Sequence, residues 1–152
     1  RIMGIDVFAQ VNFLKYFSFK GGYTFADAIN KDDDTQISGN SKHNITSALS
    51  FQYSKLRIGS RHYPFVVSFS GRYSSPRIYY SETTDAGGNT ITTRNDSPAY
   101  SIWRLMYTQR IPIKASWNFE IQAGIDNIFN HVDNTTFINP VRTSSIMAKI
   151  SF

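Results

Sequence analysis

The chain contains no cysteine at all. That excludes a disulfide framework and a thiol nucleophile. Charge is also scarce: Asp, Glu, Lys and Arg make up 18% of the 152 residues. No apolar run approaches the ~20 residues that a transmembrane helix needs. The opening stretch Arg1-Ile2-Met3-Gly4-Ile5-Asp6 lacks the apolar h-region of a secretory leader. An exported protein is then expected to be a mature chain or a later fragment of one. The net charge of +5 is modest and its basic residues are scattered, so no nucleic-acid partner is expected. Mean hydropathy is slightly negative, which alone suggests a water-soluble chain. A membrane β-barrel gives the same value, because its inward half is polar.

Aromatic residues are plentiful, at 15% of a length that suits one domain. They fall into a period of two. Ile5, Val7, Ala9, Val11 and Phe13 alternate with Asp6, Phe8, Gln10 and Asn12. Phe17, Phe19, Gly21, Tyr23 and Phe25 alternate with Ser18, Lys20, Gly22 and Thr24. The same pattern runs through Asn44–Tyr53, Phe65–Tyr73, Trp103–Thr108, Trp117–Asp126 and Ser145–Phe152. Alternation of this kind predicts strands with one apolar face. Seven strands result, each near the ~9–11 residues that cross a bilayer at a tilt.

The connections alternate in length. Short links are Leu14–Tyr16, Lys55–His62 and Ile111–Ala115; long ones are Ile29–Lys42, Ser74–Pro98 and Asn127–Arg142. Short periplasmic turns and longer external loops are the outer-membrane pattern, and the phase agrees when Phe152 sits at the periplasmic edge. Aromatic residues gather at both ends. Phe13, Tyr16, Phe17, Tyr53, Tyr63, Trp117 and Phe152 lie near the periplasmic side; Tyr23, Phe25, Tyr73, Tyr100 and Phe129 lie near the external side. Two such belts suit a membrane barrel. The expected fold class is therefore all-β, an antiparallel transmembrane barrel segment of about seven strands.

Nothing points to catalysis. There is no G-x-S-x-G elbow or phosphate-binding Gly loop, and Gly21-Gly22 and Gly87-Gly88 read as a strand pair and a turn. Glu120 and Asp126 share a face but stand ~20 Å apart along a strand, too far for paired-carboxylate chemistry. His43, His62 and His131 lack metal-ligand spacing and read as surface residues. Asp32-Asp33-Asp34 lacks the glycine and terminal glutamate of a calcium loop, so it reads as a solvated acidic loop. No catalytic residue, metal or cofactor is expected. The lumen is more informative. Arg72, Arg104 and Asp126 are predicted to face inward near the external ends; Arg110, Glu120 and Lys149 face inward lower down, and Lys20 completes the polar wall. A structural ion-pair network is the favoured reading; contact with an anionic ligand or an internal plug is the other. Tyr79, Tyr80 and Arg94, in the longest loop, are candidate ligand contacts.

Ala123-Gly124-Ile125-Asp126-Asn127-Ile128-Phe129-Asn130 resembles the N-L-F-N segment near the end of TonB-dependent outer-membrane receptors. Pro140-Val141-Arg142 resembles the P-G-R that follows, with Val141 where that family has Gly. Ser97–Trp103 and the stretch from Met3 to Ala28 resemble further strands of that family. The resemblance covers nearly the whole chain. It implies that 1–152 is the C-terminal part of a barrel of about 22 strands around a plug, with the plug, the TonB box and the earlier strands elsewhere. It further implies TonB-powered import of siderophore-iron, haem or cobalamin. The partners implied are the rest of the receptor, outer-membrane lipid, TonB, a nutrient ligand and, as a further candidate, a surface lipoprotein. Two rivals are a small complete eight-stranded barrel, structural or adhesive, which an extra wall strand within Ser74–Pro98 would favour, and a soluble all-β binding module.

Overall fold

A computed structural model gives the fold and describes residues 1–31, 35–113, 117–132 and 141–151. The elements are β1 (Ile2–Phe13), β2 (Phe17–Asn30), β3 (Thr35–Gln36), β4 (His43–Tyr53), β5 (Arg57–Ile58), β6 (Arg61–His62), β7 (Phe65–Ser74), β8 (Arg77–Thr84), β9 (Thr90–Ser97), β10 (Tyr100–Pro112), β11 (Asn118–Asp126) and β12 (Thr143–Ser151). Among the described residues there is no helix. Strands β1, β2, β4, β7, β10, β11 and β12 pair in that order, all antiparallel, and β3 adds two residues beside β2. The seven expected wall strands are therefore present. The sheet is open: β1 and β12 are its edges and do not pair with each other.

Register explains why this sheet has two chemically distinct faces. Directly paired residues share a face, and a one-residue slip would exchange the faces. One outward row reads Phe13, Phe17, Phe51, Val67, Tyr107, Ala123, Ile146 across all seven strands. The adjacent inward row reads Asn12, Ser18, Ser50, Ser68, Met106, Gly124, Ser145. Apart from Asp27 at one end, the outward positions of the wall strands carry no Asp, Glu, Lys or Arg. Asp6, Lys20, Arg72, Arg104, Arg110, Glu120, Asp126 and Lys149 all lie on the inward face. Little of the wall is buried within the chain, and on the outward face Ile5, Val7, Leu49 and Ile146 are exposed. The outward face is stabilised by whatever apolar medium meets it.

Aromatic contacts fasten that outward face. Near the short turns the rings of Phe13, Phe17, Phe51, Phe65 and Tyr107 form a chain with centroid spacings of 5.4, 4.9, 5.8 and 5.9 Å. Higher up, Trp103 stacks on Phe69 at 5.1 Å and lies over Gly71. A Cβ at Gly71 would stand 2.4 Å from the indole, so only glycine lets the ring lie flat on the wall. At the opposite end the Tyr23 hydroxyl meets His43 Nδ1 at 2.8 Å, beside Phe25. Tyr100 departs from its expected place in this belt. It pairs with Ser74, two positions from the pair between Arg72 and Ile102, and so shares the inward face with Arg72.

The connections follow the expected phase. The turns after β1, β4 and β10 are at one end; those after β2, β7 and β11 are at the other and are longer. Two of them hold structure that the alternation did not predict. The link after β4 forms the small β5–β6 hairpin, and the link after β7 forms β8–β9, eight residues to a strand. Strands β8 and β9 pair with each other and add no strand to the wall, so the eight-stranded alternative gains no support from them. The Asp32-Asp33-Asp34 loop, Pro140 and Phe152 lie outside the described residues.

Candidate functional site

The long-loop end is built by docking β8–β9 onto the connection between β2 and β4. Gly39 N–H donates to Ile78 O at 2.8 Å, and Tyr80 N–H donates to Ser38 Oγ at 3.2 Å. Beneath them lies a knot of small hydroxyls. Ser41 Oγ donates to Ser75 O at 3.0 Å, His43 N–H donates to Ser75 Oγ at 3.0 Å, and Ser74 Oγ donates to Asn44 Oδ1 at 2.7 Å. Ser41, Ser74, Ser75 and Ser97 are buried. Short hydroxyl side chains satisfy the backbone here without filling space, so the hairpin sits close on the wall.

This base carries a cation–aromatic cluster. The Arg77 guanidinium lies 4.8 Å from the Tyr100 ring and 5.8 Å from the Tyr79 ring, while Arg72 lies 5.6 Å from the other partner of Arg77, Tyr100. Arg72, Tyr100, Arg77 and Tyr79 thus run without a break from the inner wall into the hairpin. Arg77 and Tyr100 were not among the candidate residues. Their signal was the mixture of Arg and Tyr flanking a long connection, hidden because Tyr100 was counted into the belt.

The remaining candidates separate into three places. Tyr80 is the register partner of Arg94, on the hairpin face opposite Tyr79. Arg94 is also held by Asp96 at 2.9 Å, which keeps its guanidinium above the ordinary pKa. Tyr80, Glu82 and Thr92 form one side of a cleft of about 590 Å³; Asn30, Thr35, Gln36, Ile37 and Ser38 line the other. Near the long-loop end of β10 and β11, as expected, Arg104 pairs with Asp126, in the register row that also contains Lys20. With Arg72 these line a concavity of about 470 Å³. At the short-turn end Arg110 Nε binds Glu120 Oε2 at 2.8 Å, and Lys149 is Glu120's partner on β12. The structure therefore brings Arg72 and Tyr79 together through Arg77 and Tyr100, and holds Arg104–Asp126 and Arg110–Glu120 as ion pairs. It leaves Arg94 in a pair within the hairpin.

The turn tip at Asp85 is self-satisfied. Asp85 Oδ1 accepts from Gly87 N–H and Asn89 N–H, both at 2.8 Å, and Oδ2 accepts from Asn89 Nδ2 at 3.1 Å. These bonds, led by the one from the Asn89 backbone, hold the carboxyl below its ordinary pKa. Among the described residues no cluster of His, Asp or Glu is placed to hold a metal.

The Asn127-Ile128-Phe129-Asn130 segment acquires a physical role. Asn127 and Asn130 both take left-handed backbone angles (φ 50° and 51°), which Asn tolerates better than most residues. Asn127 is fully buried. Its Oδ1 accepts from His131 N–H and its Nδ2 donates to His131 O, each at 2.9 Å. Ile128 N–H donates to Trp103 O at 2.9 Å, and Asn130 Oδ1 accepts from Arg142 N–H at 3.0 Å. The motif is a clamp that ties the end of β11 to β10 and to the start of β12.

An antiparallel wall that is apolar outside and polar inside, with short turns at one end and long polar connections at the other, defines the wall of an outer-membrane-type β-barrel. A family model described as TonB dependent receptor-like, beta-barrel matches residues 1–128, and the chain belongs to that family. The family comprises transporters of the Gram-negative outer membrane rather than enzymes. Its receptor barrels generally hold a plug and interact with TonB. Comparison with curated proteins and with solved structures returns no match.

Proposed function

We propose that residues 1–152 form the closing section of a larger importer barrel of about 22 strands, which takes up a scarce nutrient of the siderophore-iron, haem or cobalamin class with energy supplied through TonB. One feature supports the larger barrel. The edges β1 and β12 are unpaired, and an open sheet edge in lipid leaves backbone groups unsatisfied at several kcal/mol each. Loop length makes the β8–β9 end external. The plug, the earlier strands and TonB are then the macromolecular partners, outer-membrane lipid meets the aromatic outer face, and a surface lipoprotein is a further candidate at the external loops.

The observation that carries the ligand-facing assignment is the unbroken Arg72–Tyr100–Arg77–Tyr79 cluster. Guanidinium and phenol groups bind anionic and aromatic ligands well. Arg104, Asp126, Tyr80 and Arg94 are the neighbouring contacts of this reading. Lys20, Arg110, Glu120 and Lys149 form the lumen wall. The test is uptake of a ferric siderophore, haem and cyanocobalamin by cells whose only copy of the receptor is the full-length protein, with and without TonB. TonB-dependent uptake of one nutrient is expected. An Arg72→Ala, Tyr79→Ala variant should raise its half-saturating concentration roughly tenfold at unchanged surface level. Uptake of none of the three would sink the proposal.

A further inference from the structure

The two ends of the wall differ in charge. At the long-loop end Asp27, Glu82, Asp85 and Asp96 stand among Lys42, Arg77 and Arg94. At the short-turn end the links after β1 and β4 carry Lys15, Lys55, Arg57, Arg61 and His62. No Asp or Glu occurs between Asn12 and Ser18 or between Gln52 and Phe65. All of these basic residues are exposed. Among the described residues, Lys15, Lys55, Arg57 and Arg61 meet no carboxylate. Arg57 Nε donates to Gly59 O at 3.0 Å and Arg61 Nη1 to Pro112 O at 3.3 Å. Main-chain oxygens thus shape the β5–β6 hairpin and leave its charge unneutralised.

The same links hold aliphatic side chains in the open. Leu14 is 74% exposed beside Lys15, and Ile58 is 63% exposed beside Arg57. Leu56, between Lys55 and Arg57, is exposed as well. The two links are neighbours: Gln52 N–H donates to Tyr16 O at 2.8 Å, and the Tyr16 ring lies 5.3 Å from that of Tyr53. Both rings also touch Phe51, a member of the outward aromatic chain. The cations therefore begin where the aromatic belt ends, which in a membrane barrel is the level of the lipid headgroups. We infer that the links after β1 and β4 dock anionic phospholipid of the periplasmic leaflet, cations on its phosphates and Leu14, Leu56 and Ile58 against its glycerol and acyl region. The inference rests on the reading of the short-turn end as the periplasmic edge of a membrane barrel. Basic residues interleaved with exposed aliphatic ones are the pattern of an interfacial anchor. An acidic protein would satisfy the charge, but it would give Leu14 and Ile58 no reason to project at the rim of the belt. Exposure of the cations is what a headgroup contact requires, since it forms at a hydrated surface.

The test uses the full-length receptor in phosphatidylcholine nanodiscs that contain either photoactivatable phosphatidylglycerol or photoactivatable phosphatidylcholine at the same mole fraction. After irradiation, mass spectrometry counts lipid adducts on peptides that carry residues 14–16 and 54–63. Phosphatidylglycerol adducts should exceed phosphatidylcholine adducts there by about fivefold, with no such excess on peptides of β8–β9. High salt should shrink the excess, because the cations are exposed. A Lys55→Gln, Arg57→Gln, Arg61→Gln variant should bring the two lipids to parity. A Lys15→Gln, Lys55→Gln variant, which touches none of the hairpin's hydrogen bonds, should lower the excess roughly twofold. Folded-barrel migration on unheated gels is checked for both, and the second decides if the first misfolds. Equal adducts from the two lipids would overturn the inference and leave the patch to an acidic protein. An excess that survives neutralisation in folded receptor would also overturn it. So would an excess abolished by inorganic phosphate at matched ionic strength, which would mark a site for a free anion. Both leaflets of the nanodisc offer the same lipid, and neither TonB nor nutrient is present. A failed uptake assay and a failed lipid preference therefore remain distinguishable.

Discussion

The two faces of the wall come from the same strands and differ by one residue of phase. Phe69 points outward onto Trp103; Ser68, its neighbour in sequence, points inward between Ser50 and Met106. Every charged side chain of the wall except Asp27 follows the same division. A soluble sandwich also has an apolar and a polar face, but it covers the apolar one with a second sheet. Here the apolar face of all seven strands has no second sheet packed on it among the described residues. The difference teaches that the outer face is fitted to an external apolar medium and the inner face to water, ions and protein.

The strongest way to break this comparison is to move one charge across the wall. Phe69→Lys should cost roughly 2–4 kcal/mol if the outer face meets lipid near the midplane, whereas Ser68→Lys should stay within about 0.5 kcal/mol. Urea unfolding of the full-length receptor in liposomes measures both, and equal costs would end the two-face reading. Next in size is the clamp that holds the wall's upper corner. Asn127→Ala removes both partners of His131 and places alanine in a left-handed conformation, so a loss of about 2–3 kcal/mol is expected in the same assay. Asn127→Gly, which keeps the backbone and loses only the side-chain bonds, should cost less; identical losses would show that the side chain does nothing. The smallest effect belongs to the hairpin tip, away from both faces. Because Asp85 is held below its ordinary pKa, its stabilisation is complete above the unfolded value of ~3.9. It fades as pH falls through the folded value. Amide exchange at Gly87 and Asn89 should accelerate in acid beyond its intrinsic rate, and Asp85→Asn should remove most of that extra dependence.

What could be read from the sequence was what a two-residue period encodes. All seven wall strands, their faces and the phase of the connections follow from residues such as Trp117, Phe119, Ile121 and Ala123 alternating with Asn118, Glu120 and Gln122. Strands β8 and β9 escaped because neither carries a continuous apolar face: β9 is exposed up to Asp96, and the half-buried part of β8, Arg77 to Tyr80, is mostly polar or amphipathic. Arg77-Ile78-Tyr79-Tyr80 and Thr90-Ile91-Thr92-Thr93 have no alternation to detect. Their signal was β-branched and aromatic content on either side of a Gly-Gly turn. Tyr100 was misplaced for a related reason. Its ring is amphipathic, so a position near a strand end suits a belt or a lumen equally, and only the register with Ser74 decides. The inward charges were legible one by one. Their pairings were not, since Arg104 meets Asp126 and Arg110 meets Glu120 only through strand alignment. The Asn127–Asn130 motif was visible as a family mark, but its left-handed angles and double bond to His131 were not.

The order of the wall strands has a kinetic consequence. Each strand pairs with its sequence neighbours in the wall, so the sheet can grow one hairpin at a time with no crossover between distant strands. During that growth there is always one exposed leading edge, and an exposed edge recruits other chains. In the larger barrel proposed above, β1 would pair with the strand just before it, and the step that removes the last edge would join β12 to a strand far away in sequence, the costliest loop to close. Seven strands can thus form early and still depend, for their survival as a monomer, on a seam that is sewn last.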